Sequence, residues 1–210
     1  MGRLRIIAGS LKGRKIQVQP DLPLRPTADR VREALFSILG SDVAEAIVLD
    51  AYAGSGALGF EALSRGAAQV VFLEADPRAA AALRAAAETL SVAAQCSVQV
   101  GPVSRSLVGL RARGPFDLVL ADPPYDDHEE VARFLPRAAS LLQREGRLVL
   151  ERPGTVDPTR CTELKLLRSS SYGRCRLDFY RLVGPEGPGR PSEQFSGETP
   201  AEEQEAGRGS

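Results

Sequence analysis

Residues 46–59 read AIVLDAYAGSGALG, an apolar run broken by Asp50 and followed by a loop in which Gly54, Gly56 and Gly59 recur. The run AIVLDAY suits a strand buried on both faces of a sheet. The loop lets the chain turn sharply and lets another molecule approach the backbone, because glycine carries no Cβ. A helix is expected over about 57 to 65, with its unpaired N–H groups and its dipole favouring negative charge at the loop. Strand, glycine loop and helix together are the opening unit of a doubly wound α/β sheet.

The same unit recurs on the carboxyl side. QVVFLEAD (69–76) reads as a strand and PRAAAALRAAAETL (77–90) as a helix, with Pro77 in its first turn and Asp76 as its cap. CSVQV (96–100) is a weaker strand, followed by a helix around 104–113. FDLVLADPPY (116–125) is a strand ending in an unusual loop. A helix over about 128–143 and the strand GRLVLE (146–151) follow. Strands alternating with helices predict right-handed βαβ units and a parallel sheet covered on both sides. TELKLLRSS (162–170) and RCRLDFYRLV (174–183) are adjacent, read as antiparallel, and close one edge. The fold class is α/β, Rossmann-like, with a mostly parallel seven-stranded sheet and an antiparallel edge strand.

On the amino side, RLRIIA (3–8) and KIQV (15–18) read as a small hairpin around Gly9 and Gly13. Thr27 is the expected N-cap of a helix with Val31, Leu35, Ile38 and Leu39 on one face, stopped by Gly40. Beyond Val183 the chain is rich in Gly, Pro, Ser and Glu and cannot bury enough apolar area to offset ordering, so a disordered acidic tail is expected. The division is a basic hairpin and helix over 1–40, a catalytic domain over 41–183 and the tail over 184–210.

The formal net charge is zero, yet residues 1–32 carry eight Lys or Arg against Asp21 and Asp29, and residues 184–210 carry six Glu against Arg190 and Arg208. A basic end suits a polyanion, because phosphate contacts supply affinity irrespective of sequence. Cys96, Cys161 and Cys175 form no C-x-x-C pair and there is one histidine, so neither a disulfide framework nor a metal site is expected. The start, MGRLRIIAGSLKGRK, lacks the apolar core of a secretory signal. No stretch approaches the roughly 20 apolar residues of a membrane span. A soluble cytoplasmic monomer without metal is the expectation.

Gly54 to Gly59 formally match G-x-G-x-x-G, and Glu74 follows Gly54 at the spacing of a dinucleotide fingerprint. A dinucleotide would set its pyrophosphate at the helix N-terminus. S-adenosylmethionine would set its carboxylate nearby. Either has a ribose for Glu74 at the end of the second strand. Asp50 is awkward beside a pyrophosphate and suits an ammonium group; the alternative is that it bonds to loop N–H groups. The candidate cofactor-binding set is Asp50, Ala53, Gly54, Ser55, Gly56, Glu74 and Ala75.

Asp122-Pro123-Pro124-Tyr125 decides between them. Consecutive prolines stiffen the backbone and remove two donors. An acid before and an aromatic ring after make a rigid pocket with acceptors at an edge and a ring on a face. A planar base with an exocyclic amine needs that arrangement. Asp122 and a proline-loop carbonyl accept the amine hydrogens and favour the pyramidal nitrogen that attacks a methyl group, and Asp122 takes up the developing positive charge. Tyr125 stacks on the ring, worth ~1–3 kcal/mol. Asp122, Pro123, Pro124 and Tyr125 are the catalytic candidates. His128 reads as a helix start, and Asp126 and Asp127 as caps.

RIIAGSLKGRKI, RPTADRVREALFSIL, VLDAYAGSGALGFEALSRGAAQVVFLEAD and DPPY together resemble the RsmD family of bacterial 16S ribosomal RNA methyltransferases, over about residues 3 to 183. The resemblance implies guanine N2 as the methyl acceptor, S-adenosylmethionine at Gly54 and Gly56 with its ribose on Glu74, and a flipped guanine at Asp122 to Tyr125. It places Arg25, Thr27 and Arg30 beside cofactor and RNA. It also implies RNA contacts for Arg3, Arg5, Lys12, Arg14, Lys15, Arg25 and Arg30, with the small subunit or an assembly intermediate as substrate. Where such proteins commonly show Gly-Asp after the third strand, this chain has Gly101-Pro102, which leaves adenine recognition to backbone or to a side chain such as Ser104. Residues alone leave guanine and adenine both open. The competing readings are an adenine-N6 methyltransferase of DNA or RNA, a nicotinamide-dependent oxidoreductase, and a non-catalytic RNA-binding assembly module.

Overall fold

The apolar run ahead of the glycine loop is β3 (Ile47–Ala51), the central strand of the sheet. It pairs in parallel with β4 (Gln69–Glu74) on one side and with β6 (Phe116–Ala121) on the other. β5 (Cys96–Val100) extends the sheet beyond β4, and β7 (Leu142–Pro153) extends it beyond β6. β9 (Cys175–Leu182) runs antiparallel between β7 and the edge strand β8 (Leu164–Tyr172). In this computed structural model, which describes residues 2–18, 26–124 and 127–184, the order is β5-β4-β3-β6-β7-β9-β8. The reversed strand thus lies one position in from the edge.

Helices cover both faces. α2 (Ala57–Ser64) and α3 (Pro77–Leu90) follow β3 and β4; the short α4 (Val103–Ser106) and α5 (His128–Ala139) follow β5 and β6. The pleat sends alternate residues of β3 to opposite cores. Val48 joins Phe60, Phe72 and Leu83 beneath α2 and α3; Leu49 joins Leu107, Phe134 and Leu135 beneath α4 and α5. Among the described residues, no helix is long and apolar enough to cross a membrane.

Local signals hold where they concern a few neighbouring residues. Asp76 accepts the N–H of Arg78 at 2.8 Å with Pro77 opening α3, and Asp127 accepts the N–H of Glu130 at 2.9 Å as α5 begins at His128. Three expectations change. Thr27 lies inside the first turn of α1 (Pro26–Leu39) rather than capping it, since Pro26, with its fixed φ, takes the opening position. The helix expected over 104–113 is one α-turn followed by a 3₁₀ turn at Leu107–Leu110, limited by Pro102 before it and Gly109 within it. α5 stops at Ala139 rather than 143, because Leu142 pairs with Phe116 and starts β7.

The amino-terminal hairpin, β1 (Gly2–Arg5) and β2 (Lys15–Val18), shares the core of the sheet. Leu4, Ile6 and Ile16 pack in one cluster with Val31, Leu35 and Phe36 of α1 and Phe60 and Leu63 of α2. Its turn lies against the carboxyl ends of α2 and α3. Ser10 N–H donates to Ser64 O at 2.7 Å, Leu11 N–H to Ser64 Oγ at 2.9 Å, and Arg14 Nη2 to Thr89 O at 2.7 Å. Gly9 permits the approach: its φ is +83°, and a Cβ there would lie 1.7 Å from Ser64 O.

Candidate active site

β3, β4, β6 and β7 end at one edge of the sheet. The register aligns Asp50 with Phe72 and Leu120, and Leu120 with Val149. Side chains alternate with period two, so Asp50, Glu74, Asp122 and Glu151 fall on the same face at the carboxyl edge. The acids feel one another. Asp50, closed over at 2% exposure, has its carboxyl pushed up to about 8, by burial first and then against the hydrogen bond from Gly59 by the charges of Asp122 and Glu74. Asp122 is exposed at this edge; the protein around it first, and Glu151 second, push its carboxyl upward.

The glycine loop is tied down by two of these acids. Glu74 Oε2 accepts the N–H of Gly54 at 2.7 Å, and Oε1 that of Asp76 at 2.8 Å. Asp50 Oδ2 accepts the N–H of Gly59 at 2.8 Å, answering a donor in the first turn of α2 that has no partner within its own helix. Asp50 therefore meets Gly59 beneath the loop, where the sequence had pointed to an ammonium group. Gly56 caps α2 at φ +74°, a conformation that favours glycine. Ala53 is buried, Gly54 and Ser55 are half-buried and Ala75 is exposed.

Tyr52, in the same loop, has φ +60° and is held by its side chain. Its ring packs on Phe134 at 5.3 Å, and its hydroxyl donates to Glu130 Oε1 at 3.1 Å. Glu130 also accepts from Ser104 N–H at 3.0 Å and Ser104 Oγ at 2.9 Å. The Ser104 hydroxyl is thus buried with its proton committed to Glu130. Burial alone would raise the Glu130 carboxyl, but hydrogen bonds from Ser104, Tyr52 and Arg133 outweigh it and hold the group below its usual range.

Beside this loop a pocket of about 300 Å³, its mouth included, is lined by Pro123, Pro124, His128, Glu151, Pro153 and Val156 among others. Pro124 O accepts the N–H of Asp127 at 3.3 Å. The far wall is held by Arg152, which pairs with the buried Asp178 (Nη2 to Oδ1 at 3.2 Å) and donates to the carbonyl of Val156. Tyr125 and Arg25 lie outside the described residues, as do the side chain of Arg3 and the proposed tail beyond Gly184.

The basic residues are not gathered at this pocket. Arg5, Lys12, Lys15 and Arg30 are exposed, while Arg14 is anchored to Thr89 at the far end of α3. Lys12 and Arg14 belong to the turn that packs on the carboxyl ends of α2 and α3, whereas Asp122 follows the carboxyl end of β6. Arg32 is buried, donating to Arg5 O at 2.9 Å and to Asp29 at 3.0 Å. Glu130 and Glu151 escaped the sequence reading. Glu130 stands in the first turn of α5, where an acid is ordinary and draws no notice. Glu151 carried a usable signal, since it closes an apolar strand just as Glu74 does.

The strand order, with its reversed strand next to the edge and a glycine loop after the central strand, defines a Rossmann-like class I methyltransferase. The sheet is shared with the rRNA methyltransferase aviRa of Streptomyces viridochromogenes, with a TM-score of 0.59 at 19% identity over 78% of this chain and 88% of that one. Closer likeness is found in the Escherichia coli protein yhhF, with a TM-score of 0.71 and 34% identity over 86% of this chain and 98% of that one. The Ribosomal RNA small subunit methyltransferase D of Escherichia coli K12 is 44% identical over 152 residues, 71% of this chain and 72% of its own. Residues 4–181 match the family model described as Conserved hypothetical protein 95. The chain belongs to this family, the RsmD family of methyltransferases.

Proposed function

We propose that the chain transfers a methyl group from S-adenosylmethionine to the exocyclic N2 of a guanine in 16S ribosomal RNA of the small subunit or its assembly intermediate, with the base turned out of its helix. The observation that carries this reading is the adjacency of β3 and β6, which sets the glycine loop and the Asp122-Pro123-Pro124 corner side by side on one edge. The residues suit that cofactor better than a dinucleotide. A pyrophosphate would enter a rim formed by Glu74, Asp122 and Glu151, acids whose ionised forms repel it. S-adenosylmethionine, when bound, supplies an electrophilic methyl group on a cationic sulfur. Glu74 uses two of its roughly four acceptor positions on Gly54 and Asp76 and keeps the rest for ribose hydroxyls. Ala53, Gly54, Ser55 and Gly56 line the cofactor, Ala75 flanks its ribose, and Asp50 holds the loop from beneath.

Asp122 and the Pro123 carbonyl accept the two hydrogens of the guanine amine, since Pro124 O is taken by Asp127. That pairing localises the nitrogen lone pair toward the methyl carbon. As the N–C bond forms and the C–S bond breaks, Asp122 stabilises the cationic nitrogen and receives its proton. Tyr125 stacks on the base. Arg3, Arg5, Lys15, Arg25 and Arg30 contact RNA backbone, and Lys12 and Arg14 meet RNA that extends past the far edge. Residues 1–40 form the RNA-binding extension, 41–183 the catalytic domain and 184–210 an acidic tail, in a cytoplasmic monomer.

The test is Asp122→Ala with labelled cofactor on small-subunit particles. Transfer falls about 10²-fold or more while cofactor affinity persists. Unchanged turnover removes Asp122 from the reaction, and label entering duplex DNA but not the particles overturns the substrate.

A further inference from the structure

We infer that Glu151 determines specificity for guanine over adenine by accepting the ring N1–H beside the amine held by Asp122. The inference rests on the reading of the site just given and goes beyond it in naming what reads the base. Ala121 pairs with Leu150 in the parallel register of β6 and β7, so the residues that follow, Asp122 and Glu151, stand next to each other at the sheet edge. Glu151 lines the same pocket as Pro123 and Pro124. The buried Cys175, which faces Pro153 across β7 and β9 and donates to the Tyr172 carbonyl, has its thiol pushed up to about 12, by burial first and then by the nearby Glu151 charge. The Glu151 charge reaches Asp122, an independent sign that the two carboxyls are close.

The edges of the two bases turn this pair into a discriminator. Guanine offers two adjacent donors, the N2 amine and N1–H; adenine offers its amine next to the lone pair of N1. Two neighbouring carboxylates are matched to two neighbouring donors. Against adenine, Glu151 meets a lone pair, and an acceptor fixed in a partly buried site facing another acceptor is a strong basis for rejection. A single acid at Asp122, by contrast, would accept either amine equally.

The experiment compares two acceptors in 16S transcripts assembled into small-subunit particles: guanine at the methylated position, and 2-aminopurine, which keeps the N2 amine but replaces N1–H with a lone pair. The native chain is expected to prefer guanine by at least 10²-fold in kcat/KM. Glu151→Gln, whose amide donates to a lone pair, shifts the ratio toward 2-aminopurine by at least tenfold. Glu151→Ala erodes the preference without gaining the new one. Cofactor affinity, measured by calorimetry, stays within about twofold in both variants, which a merely structural role would not ensure. An unchanged acceptor ratio in Glu151→Gln overturns the inference while leaving the methyltransferase reading intact. Failure of the native chain to methylate guanine N2 at all overturns both.

Discussion

Glu61, fully buried in α2, accepts the backbone N–H of Ile7 at 2.8 Å across 54 residues of sequence. Its other oxygen accepts from Ala8 N–H at 3.0 Å and from Arg65 Nε at 2.8 Å, and Arg32 Nε stands 3.7 Å from the oxygen that meets Ile7. One carboxylate thus joins the hairpin, α1 and the helix that begins at the glycine loop.

Removing that carboxylate strips the acceptor from Arg65 and from two part-buried N–H groups, and leaves the buried Arg32 with Asp29 and the Arg5 carbonyl alone. Glu61→Ala is expected to cost about 3–5 kcal/mol. For a domain of this size that lowers Tm by roughly 6–20 °C. Calorimetry checks it, and a midpoint within about 2 °C of the native chain would show that the loop holds without Glu61.

Asp50 predicts a pH dependence of stability. Folded, its carboxyl keeps a proton up to about 8; unfolded, it releases it near 3.8. Stability lent by the protonated form is complete below the unfolded value and is lost as pH rises through the folded one. Denaturant midpoints should therefore fall between about pH 4 and about pH 8 in the native chain and fall less in Asp50→Asn, whose amide oxygen still accepts from Gly59. Equal slopes in the two proteins would assign the trend to other groups.

Tyr52 and Glu130 act as a pair. Glu130→Ala strips the partner from Ser104 N–H, Ser104 Oγ and the Tyr52 hydroxyl and is expected to cost about 1–3 kcal/mol. Tyr52→Phe removes one bond and costs about 1 kcal/mol. Because they share that bond, the double variant should lose less than the sum, by about 0.5 kcal/mol or more. Strict additivity in urea titrations would mean the Tyr52 hydroxyl is held by something else.

Much of this was legible in the chain because the signals are local. The alternation of apolar runs and helical periods placed the central strands within a residue or two, although β7 starts at Leu142, four residues before the expected strand, and β1 ends at Arg5 rather than 8; Asp76-Pro77 and Asp127-His128 declared their helix starts. Acids closing apolar strands marked Asp50, Glu74 and Asp122, and the same rule would have found Glu151. The docking at Glu61 and Ser64 also shows that RIIAGSLKG, RPTADRVREALF and GFEALSRG each contribute to one junction. The partner of Ser104 was not legible, because Glu130 comes from another helix.

The sequence by itself determined the class of fold, the glycine loop, and the acid-proline corner, since propensity, periodicity and turn chemistry act over a handful of neighbouring residues. Only the tertiary structure decided which donor each carboxylate meets: Gly59 for Asp50, Gly54 for Glu74, Ile7 for Glu61, Ser104 and Tyr52 for Glu130. Those partners are up to 78 residues apart. A buried carboxylate must find a donor, but the need is satisfied by whichever N–H or O–H the packed sheet brings within 3 Å, and no local pattern records that choice.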